Sequence, residues 1–294
     1  MVSFRLLRGI LNSDDMNMQR YIYILCTLLF FSACEEIIDV NLNDADPRVV
    51  IEANLSDLHA VQRIRVSKTV AFNEPVNSKP VVDAIVFVSD NQGSASYFTH
   101  EGNGMYVSDA NYDFKPTAGR TYSLYVMVDD ELYESSCYMP TYVEVDSTGI
   151  VRENILGDSY YFATFKFNDP PDVSNYYKYD ISINDGNYRF SSVFQDKFND
   201  GLYVTHQVSD LDAELNPGDY ISVRRYCIDE KVFDYWNEYQ STNPGSAAPG
   251  NPTSNISNNA LGYFSVASAQ EFRLQIMDMD FDWDDLDDSS ISMP

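Results

Sequence analysis

Lysine and arginine are scarce in this chain: 19 among 294 residues, against 45 aspartates and glutamates, for a formal net charge of −26. So few cations cannot neutralise a phosphate backbone, which excludes nucleic acid as a partner. Anionic lipid also repels such a chain unless something other than charge holds it there. Cysteine is rarer still, with four residues in all, too few for a scaffold built on disulfides. Histidine is nearly missing. His59, His100 and His206 stand apart, none beside a cysteine or a serine elbow. The motifs Gly-x-Ser-x-Gly, Cys-x-x-Cys and His-x-x-x-His do not occur. Nucleophilic catalysis needs a nucleophile set against a base, and structural zinc needs closely spaced Cys and His; neither arrangement is present. What the chain does have is 44% hydrophobic and 14% aromatic residues, the composition of a folded protein rather than a disordered one.

The beginning of the chain is an address. Met18-Gln19-Arg20 leads into an apolar run at residues 21–31, then Ser32-Ala33-Cys34. This is the layout of an export signal, a basic start followed by an apolar stretch and small residues. The run is shorter than the roughly 20 residues that span a bilayer. Phe31-Ser32-Ala33-Cys34 resembles the lipobox of bacterial lipoproteins, in which the cysteine receives the lipid. Phe31 stands where leucine is usual. The alternatives are a secretory signal cut near Ala33 or an uncleaved anchor. Residues 1–33 are therefore read as a signal peptide, with 1–15 fitting a start site called too early. Glu35 and Glu36, directly after Cys34, resemble the surface-export signal of Bacteroidota lipoproteins. The expected location is the outer membrane, exposed at the cell surface or facing the periplasm. Several acyl chains on Cys34 would anchor stably where one is marginal.

Residues 34–47 read as a polar tether, after which the chain reads as strands. Residues 81–90 form the strongest central candidate, ending in the turn signal Asn91-Gln92-Gly93. In 121–128, Tyr122, Leu124, Val126 and Val128 fall on one face at period two. Short strands at this spacing with no helical pattern between them predict a β-sandwich over 48–145. A second β-rich domain is predicted over 152–277, with the boundary near 145–152. Its one helix spans 230–240, capped by Asp229, with Val232, Trp236 and Tyr239 on one face. Residues 278–294 form an acidic tail. The fold class is mainly β: an N-terminal prealbumin-like or Ig-like β-sandwich, then a second β-rich domain with one short helix.

Several stretches resemble one known family. Val49-Val50-Ile51-Glu52, Asp83-Ala84-Ile85-Val86-Phe87-Val88, Gly104-Met105-Tyr106 and Gly119-Arg120-Thr121-Tyr122 carry the first half of the likeness. Tyr235-Trp236, Ser254-Asn255-Ile256 and Leu261-Gly262-Tyr263-Phe264 carry the second. Their order and spacing are similar to the Bacteroidota outer-membrane lipoproteins catalogued as domain of unknown function 4249, over roughly residues 34 to 280. The resemblance implies a lipoprotein often encoded beside TonB-dependent receptors. It assigns no catalytic residues and no cofactor. The expected role is a non-catalytic binding or scaffolding accessory that partners such a receptor, with a glycan or peptide as ligand. The alternatives are an envelope glycan-active enzyme driven by carboxylates and a direct glycan-binding module.

Local candidates remain. Tyr235, Trp236 and Tyr239 offer rings for a sugar face or a partner's pocket, or for the core. Cys137 and Cys227 are left once the leader is removed and Cys34 lipidated; in an oxidising envelope they form a bridge or stay as two buried thiols. Asp146-Ser147-Thr148 resembles the O-glycosylation triplet of Bacteroidota, with Ser147 as acceptor. In the tail, Asp278, Asp280 and Asp282 alternate in a way that suits Ca²⁺, but Trp283 and Ser289 occupy the places where a helix-loop-helix site needs Gly and Glu. A solvated acidic tail is the plainer reading.

Overall fold

The computed structural model describes residues 46–277, apart from 72, 73, 77, 110–113 and 243–249. The expected leader at residues 1–33, Cys34, Glu35, Glu36 and the tail carboxylates Asp278, Asp280 and Asp282 lie outside the described residues. The chain is mainly β. Its strands are β1 (Val49–Ser56), β2 (Arg63–Lys68), β3 (Lys79–Pro80), β4 (Ile85–Asp90), β5 (Ala95–Gly102), β6 (Met105–Ser108), β7 (Thr121–Val128) and β8 (Glu131–Tyr138). There follow β9 (Ser147–Ile155), β10 (Asp158–Asn168), β11 (Tyr176–Ile183), β12 (Arg189–Gln195), β13 (Tyr203–Val208) and β14 (Tyr220–Cys227). Helix α1 (Glu230–Ser241) and β15 (Leu261–Gln275) complete the order.

Alternation makes these strands. In β7, Tyr122, Leu124, Val126 and Val128 are buried and the residues between them are not. In β1, Val49, Ile51, Ala53 and Leu55 point inward in the same way. The main sheet runs β12-β11-β14-β15-β1-β2-β6-β5-β4-β7-β8, with β3 against β2, and a smaller sheet runs β13-β10-β9. β8 returns to β15: the Cys137 Sγ accepts from the Val266 N–H at 3.2 Å, and the Ser135 hydroxyl donates to the Asn255 carbonyl at 2.7 Å. This closes a first core around Ile51, Leu55, Ile64, Val66, Leu124 and Phe264. A second core lies between the small sheet and the β11-β14 region, around Phe165, Phe167, Tyr177, Tyr179, Ile181 and Val223. Helix α1 begins at Asp229, whose carboxylate accepts from the Lys231 N–H at 2.9 Å. It buries Val232 and Phe233 in the first core. Among the described residues no helix is long and apolar enough to cross a membrane.

The partition of the chain departs from the sequence reading. The described residues lie in one compact unit, and the two cores are not continuous in sequence. β15 serves both. Its residues 261–267 pair in parallel with β1, Gly262 opposite Ile51, and its residues 268–275 pair antiparallel with β14. Thus the segment 254–267, assigned from sequence to a second domain, completes the first core. The expected boundary near 145–152 is also displaced. Residues 147–155 are β9, an edge strand, and the crossing falls earlier, between Met139 in the first core and Val143 in the second. β9 was missed because its side chains are mostly exposed, so no alternation marks it.

The bridge between Cys137 and Cys227 is not formed. Both are free and buried. Cys137 belongs to the first core and Cys227 to the second, where the Cys227 Sγ accepts from the Val143 N–H at 3.4 Å. Burial pushes the Cys137 thiol up to about 12 and raises that of Cys227 as well. Both behave as small core hydrophobes.

Candidate functional site

The outer face of β5, β4, β7 and β8 breaks the usual inside-apolar, outside-polar rule. The inward residues of β4 are Val86 and Val88, and the outward ones include Ile85 and Phe87. Across the ladder Phe87 faces Tyr97 on one side and Tyr125 on the other, Ile85 faces Met127, and Met127 faces Leu132. Ile85 is 57% exposed and Tyr97 67%. The rings of Phe87 and Tyr97 lie 4.8 Å apart, and those of Phe87 and Tyr125 6.0 Å. Scattered exposed apolar residues are ordinary, but a contiguous patch of this kind marks an interaction site. A flat aromatic and aliphatic surface of this sort suits a protein partner, since such rings supply much of the energy at protein interfaces.

A second feature lies beside α1. Phe190 on β12 stacks on Trp236 at 4.5 Å and 21°, with Tyr239 edge-on to both. The ammonium of the buried Lys178, ion-paired to Asp180, sits 4.7 Å from the Trp236 ring centre. A groove of about 660 Å³ opens here, lined by Phe190, Trp236 and Tyr239 together with Ser191, Ser209 and the ion-paired Arg189 and Asp210. Of the three predicted ring residues, only Tyr239 is exposed, at 46%. Trp236 has one face taken by Phe190. Tyr235 is half-buried against Tyr263 at 4.9 Å, and burial raises its hydroxyl to about 12. The three therefore form mostly a wall that holds α1 to the strands, not an open platform.

The second core hides a polar knot. Arg225 is fully buried. Its Nε donates to the Tyr179 hydroxyl at 3.1 Å and its Nη1 to the Val143 carbonyl at 2.5 Å. The guanidinium lies 4.3 Å from the Phe167 ring centre and 4.6 Å from that of Tyr177. Nδ1 of the buried His206 is 2.9 Å from the Tyr179 hydroxyl, and its ring stacks on Phe194 at 4.1 Å. Burial first, and the Arg225 charge second, hold the imidazole down at about 3. Far from water and next to a cation, His206 is built for neutral packing. In the unfolded chain the imidazole takes a proton near pH 6.5, so stability is complete above that pH and is lost as the pH falls towards 3. Unfolding free energies from urea titrations at pH 7 and pH 4.5 should show a drop larger in the wild-type than in His206→Gln by roughly 2–3 kcal/mol. Equal drops would mean that the imidazole is not the source.

Two of the remaining sequence candidates are placed by the structure. Ser147 is exposed at the first position of the edge strand β9, a hydroxyl open to solvent. The segment from Ser254 to Phe264 is a structural clasp. The Asn255 side chain bonds both ways with the Phe264 backbone, at 2.8 Å each. The Ser257 hydroxyl accepts from the Glu134 N–H at 2.8 Å, and the Asn258 side chain donates to the Leu132 carbonyl at 2.7 Å. Ile256 is buried in the first core. Gly262 has φ +87°, and a Cβ there would lie 2.0 Å from the Ile51 carbonyl oxygen, so only glycine lets β15 approach β1.

Across residues 35–273 the sequence matches the family model described as Domain of unknown function (DUF4249). The chain belongs to the DUF4249 family. A comparison with curated proteins finds no match to it. The motifs that carried the resemblance in this DUF4249 protein now have physical roles. Ser254-Asn255-Ile256 and Leu261-Gly262-Tyr263-Phe264 dock β15 and the segment before it on β1 and β8. Gly104, at φ +72°, is held the same way, with a Cβ there meeting the Val66 carbonyl at 2.4 Å. The outer apolar face was missed in the sequence because only the buried positions of 121–128 were read as a face. The unbroken run Ile85-Val86-Phe87-Val88 was its signal, since a strand with one face in water has no need of four consecutive apolar residues.

Proposed function

We propose that this DUF4249 protein is a lipid-anchored, non-catalytic accessory of the outer membrane that docks on a TonB-dependent receptor. The observation that carries the reading is the outward patch of Ile85, Phe87, Tyr97, Tyr125, Met127 and Leu132 on a chain of net charge −26. An acidic surface keeps such a protein soluble, so an aromatic face left open on it is best explained by a partner that covers it. The lipobox at Phe31-Ser32-Ala33-Cys34 and the acidic Glu35-Glu36 support the address. Lipid then supplies the membrane attachment that charge opposes. A small apolar interface suits a pairing between two membrane-held proteins, where the anchor removes much of the cost of bringing them together.

The test is a pull-down from native membranes with the lipid anchor intact. The wild-type chain is expected to recover an outer-membrane receptor. The double variant Phe87→Glu/Tyr97→Glu should recover about tenfold less or lower, because charge enters the centre of the interface. The variant's melting temperature should stay close to wild-type, since both positions face outward. Recovery of no outer-membrane receptor by the wild-type chain would reject the reading.

A further inference from the structure

Three carboxylates meet at one end of the second core. Asp169 follows β10, Asp196 follows β12, and Asp200 precedes β13. One carboxylate oxygen from each lies within 4.8 Å of those of the other two. Asp169 is 3% exposed and Asp196 7%, while Asp200 is open to solvent. The Asp169 Oδ1 accepts from the Tyr177 hydroxyl at 2.6 Å, but its buried Oδ2 has no partner. None of the three makes an ion pair among the described residues. The neighbouring Lys197 turns its ammonium towards the Phe198 ring instead.

A buried, unpaired carboxylate beside two others is costly, and proteins neutralise such groups with a proton or a cation. Burial raises the Asp169 carboxyl above its usual range; the Tyr177 hydroxyl and the nearby Gly201 N–H oppose this, while Asp196 and Asp200 add to it. The loops are nevertheless held as if to keep the oxygens together. The Asp196 Oδ2 accepts from the Asn175 N–H at 2.7 Å, the Asp200 Oδ2 from the Asp172 N–H at 3.3 Å, and the Asp169 N–H donates to the Leu202 carbonyl at 2.9 Å. A groove of about 480 Å³ gives solvent access past Asp172, Asp196 and Asp200.

We propose that Asp169, Asp196 and Asp200 bind a Ca²⁺ ion, with the unpartnered Asp169 Oδ2 as the innermost ligand. The donor set is all oxygen and anionic, which suits a hard divalent cation. Ca²⁺ accepts irregular oxygen geometry and six to eight ligands, so water from the groove can fill the remaining positions. Mg²⁺ demands a tighter octahedron. The segment Asp196-Lys197-Phe198-Asn199-Asp200-Gly201 has acids at the first and fifth places and glycine at the sixth, but Phe198 at the third and Gln207 at the twelfth separate it from the helix-loop-helix Ca²⁺ loop. Gly201, at φ +69°, makes that turn against Pro171. The third carboxylate comes from a separate loop, so the ion would tie the end of β10 to the β12–β13 connection.

Thermal melts and calorimetry on the full chain decide the matter. With CaCl₂ at a hundredfold excess over its Kd, the wild-type melting temperature should rise by about 5 °C or more. Calorimetry should show a single site. Asp169→Asn should melt at or above the wild-type temperature without metal, because a buried charge is removed, yet lose the Ca²⁺ response. Asp196→Asn should weaken Ca²⁺ binding by about tenfold or more. Asp278→Asn/Asp280→Asn/Asp282→Asn should respond as wild-type does. The proposal is overturned if the wild-type shows neither heat nor a melting shift with Ca²⁺, or if Asp169→Asn keeps the full response. It is equally overturned if the triple tail variant loses it, or if Mg²⁺ acts as strongly as Ca²⁺.

Discussion

Gly262→Ala is expected to cost at least about 3 kcal/mol and to leave little folded protein at 37 °C. Two costs combine. The residue sits at φ +87°, which alanine adopts only with strain, and its new Cβ would meet Ile51 backbone atoms at 2.0, 2.8 and 3.2 Å. None of these three atoms is the end of a flexible side chain, so the strands themselves must separate. The pairing of β1 with β15 lies in the middle of the main sheet. Its loss would open the first core at Ile51, Leu55 and Phe264, and release the clasp that Asn255 makes with Phe264. Urea unfolding followed by circular dichroism measures the effect, with Gly250→Ala as a control, since nothing lies within 4 Å of a Cβ there. A Gly262→Ala midpoint within error of wild-type would refute the close-approach argument.

Arg225→Ala carries the second large effect, a loss of about 3–5 kcal/mol. Truncation removes the guanidinium from among Phe167, Tyr177 and Tyr142, leaves the Val143 carbonyl and the Tyr179 hydroxyl without their donor, and opens a cavity in the second core. Arg225→Lys should recover only part of this. An ammonium cannot donate in the fixed fork that reaches Tyr179 and Val143 together, nor can it stack flat on rings. Because Val143 stands where the chain enters the second core, the bond from Arg225 also fixes the crossing between the two cores. Denaturant midpoints for the three proteins, with unchanged slopes, would give the ranking wild-type, Lys, Ala. If Arg225→Ala loses less than about 1 kcal/mol, the buried cation is not what holds the crossing.

The helix shows how much could be read directly. Asp229 as cap predicts its start, and α1 begins there; of the predicted face Val232, Trp236 and Tyr239 only Val232 is buried, with Phe233 beside it, and Tyr239 is exposed. β4 and β7 were legible in residues 81–90 and 121–128, the latter because alternation between water and core repeats every two residues along the chain itself, whereas β3 and β5 went unread. The site was less so. Tyr235, Trp236 and Tyr239 share a helix and looked like a platform, yet Phe190 and Tyr263, distant in sequence, cover two of the three. The acidic cluster was invisible for the same reason: Asp169 stands well apart from Asp196 and Asp200 in the chain, and the acids that alternate in plain view are those of the tail.

The chain's own pattern therefore decided its element types, its caps, its acidic balance and the family to which it belongs, since each depends on residues close together or on simple counts. Tertiary structure alone decided that residues 261–267 of β15 belong to the first core, that the two thiols stay apart, that an apolar face is left open and that three carboxylates converge. Each of these depends on which distant segments pair. That choice is made by the combined burial of both cores and by a backbone approach at Gly262 that no local periodicity records.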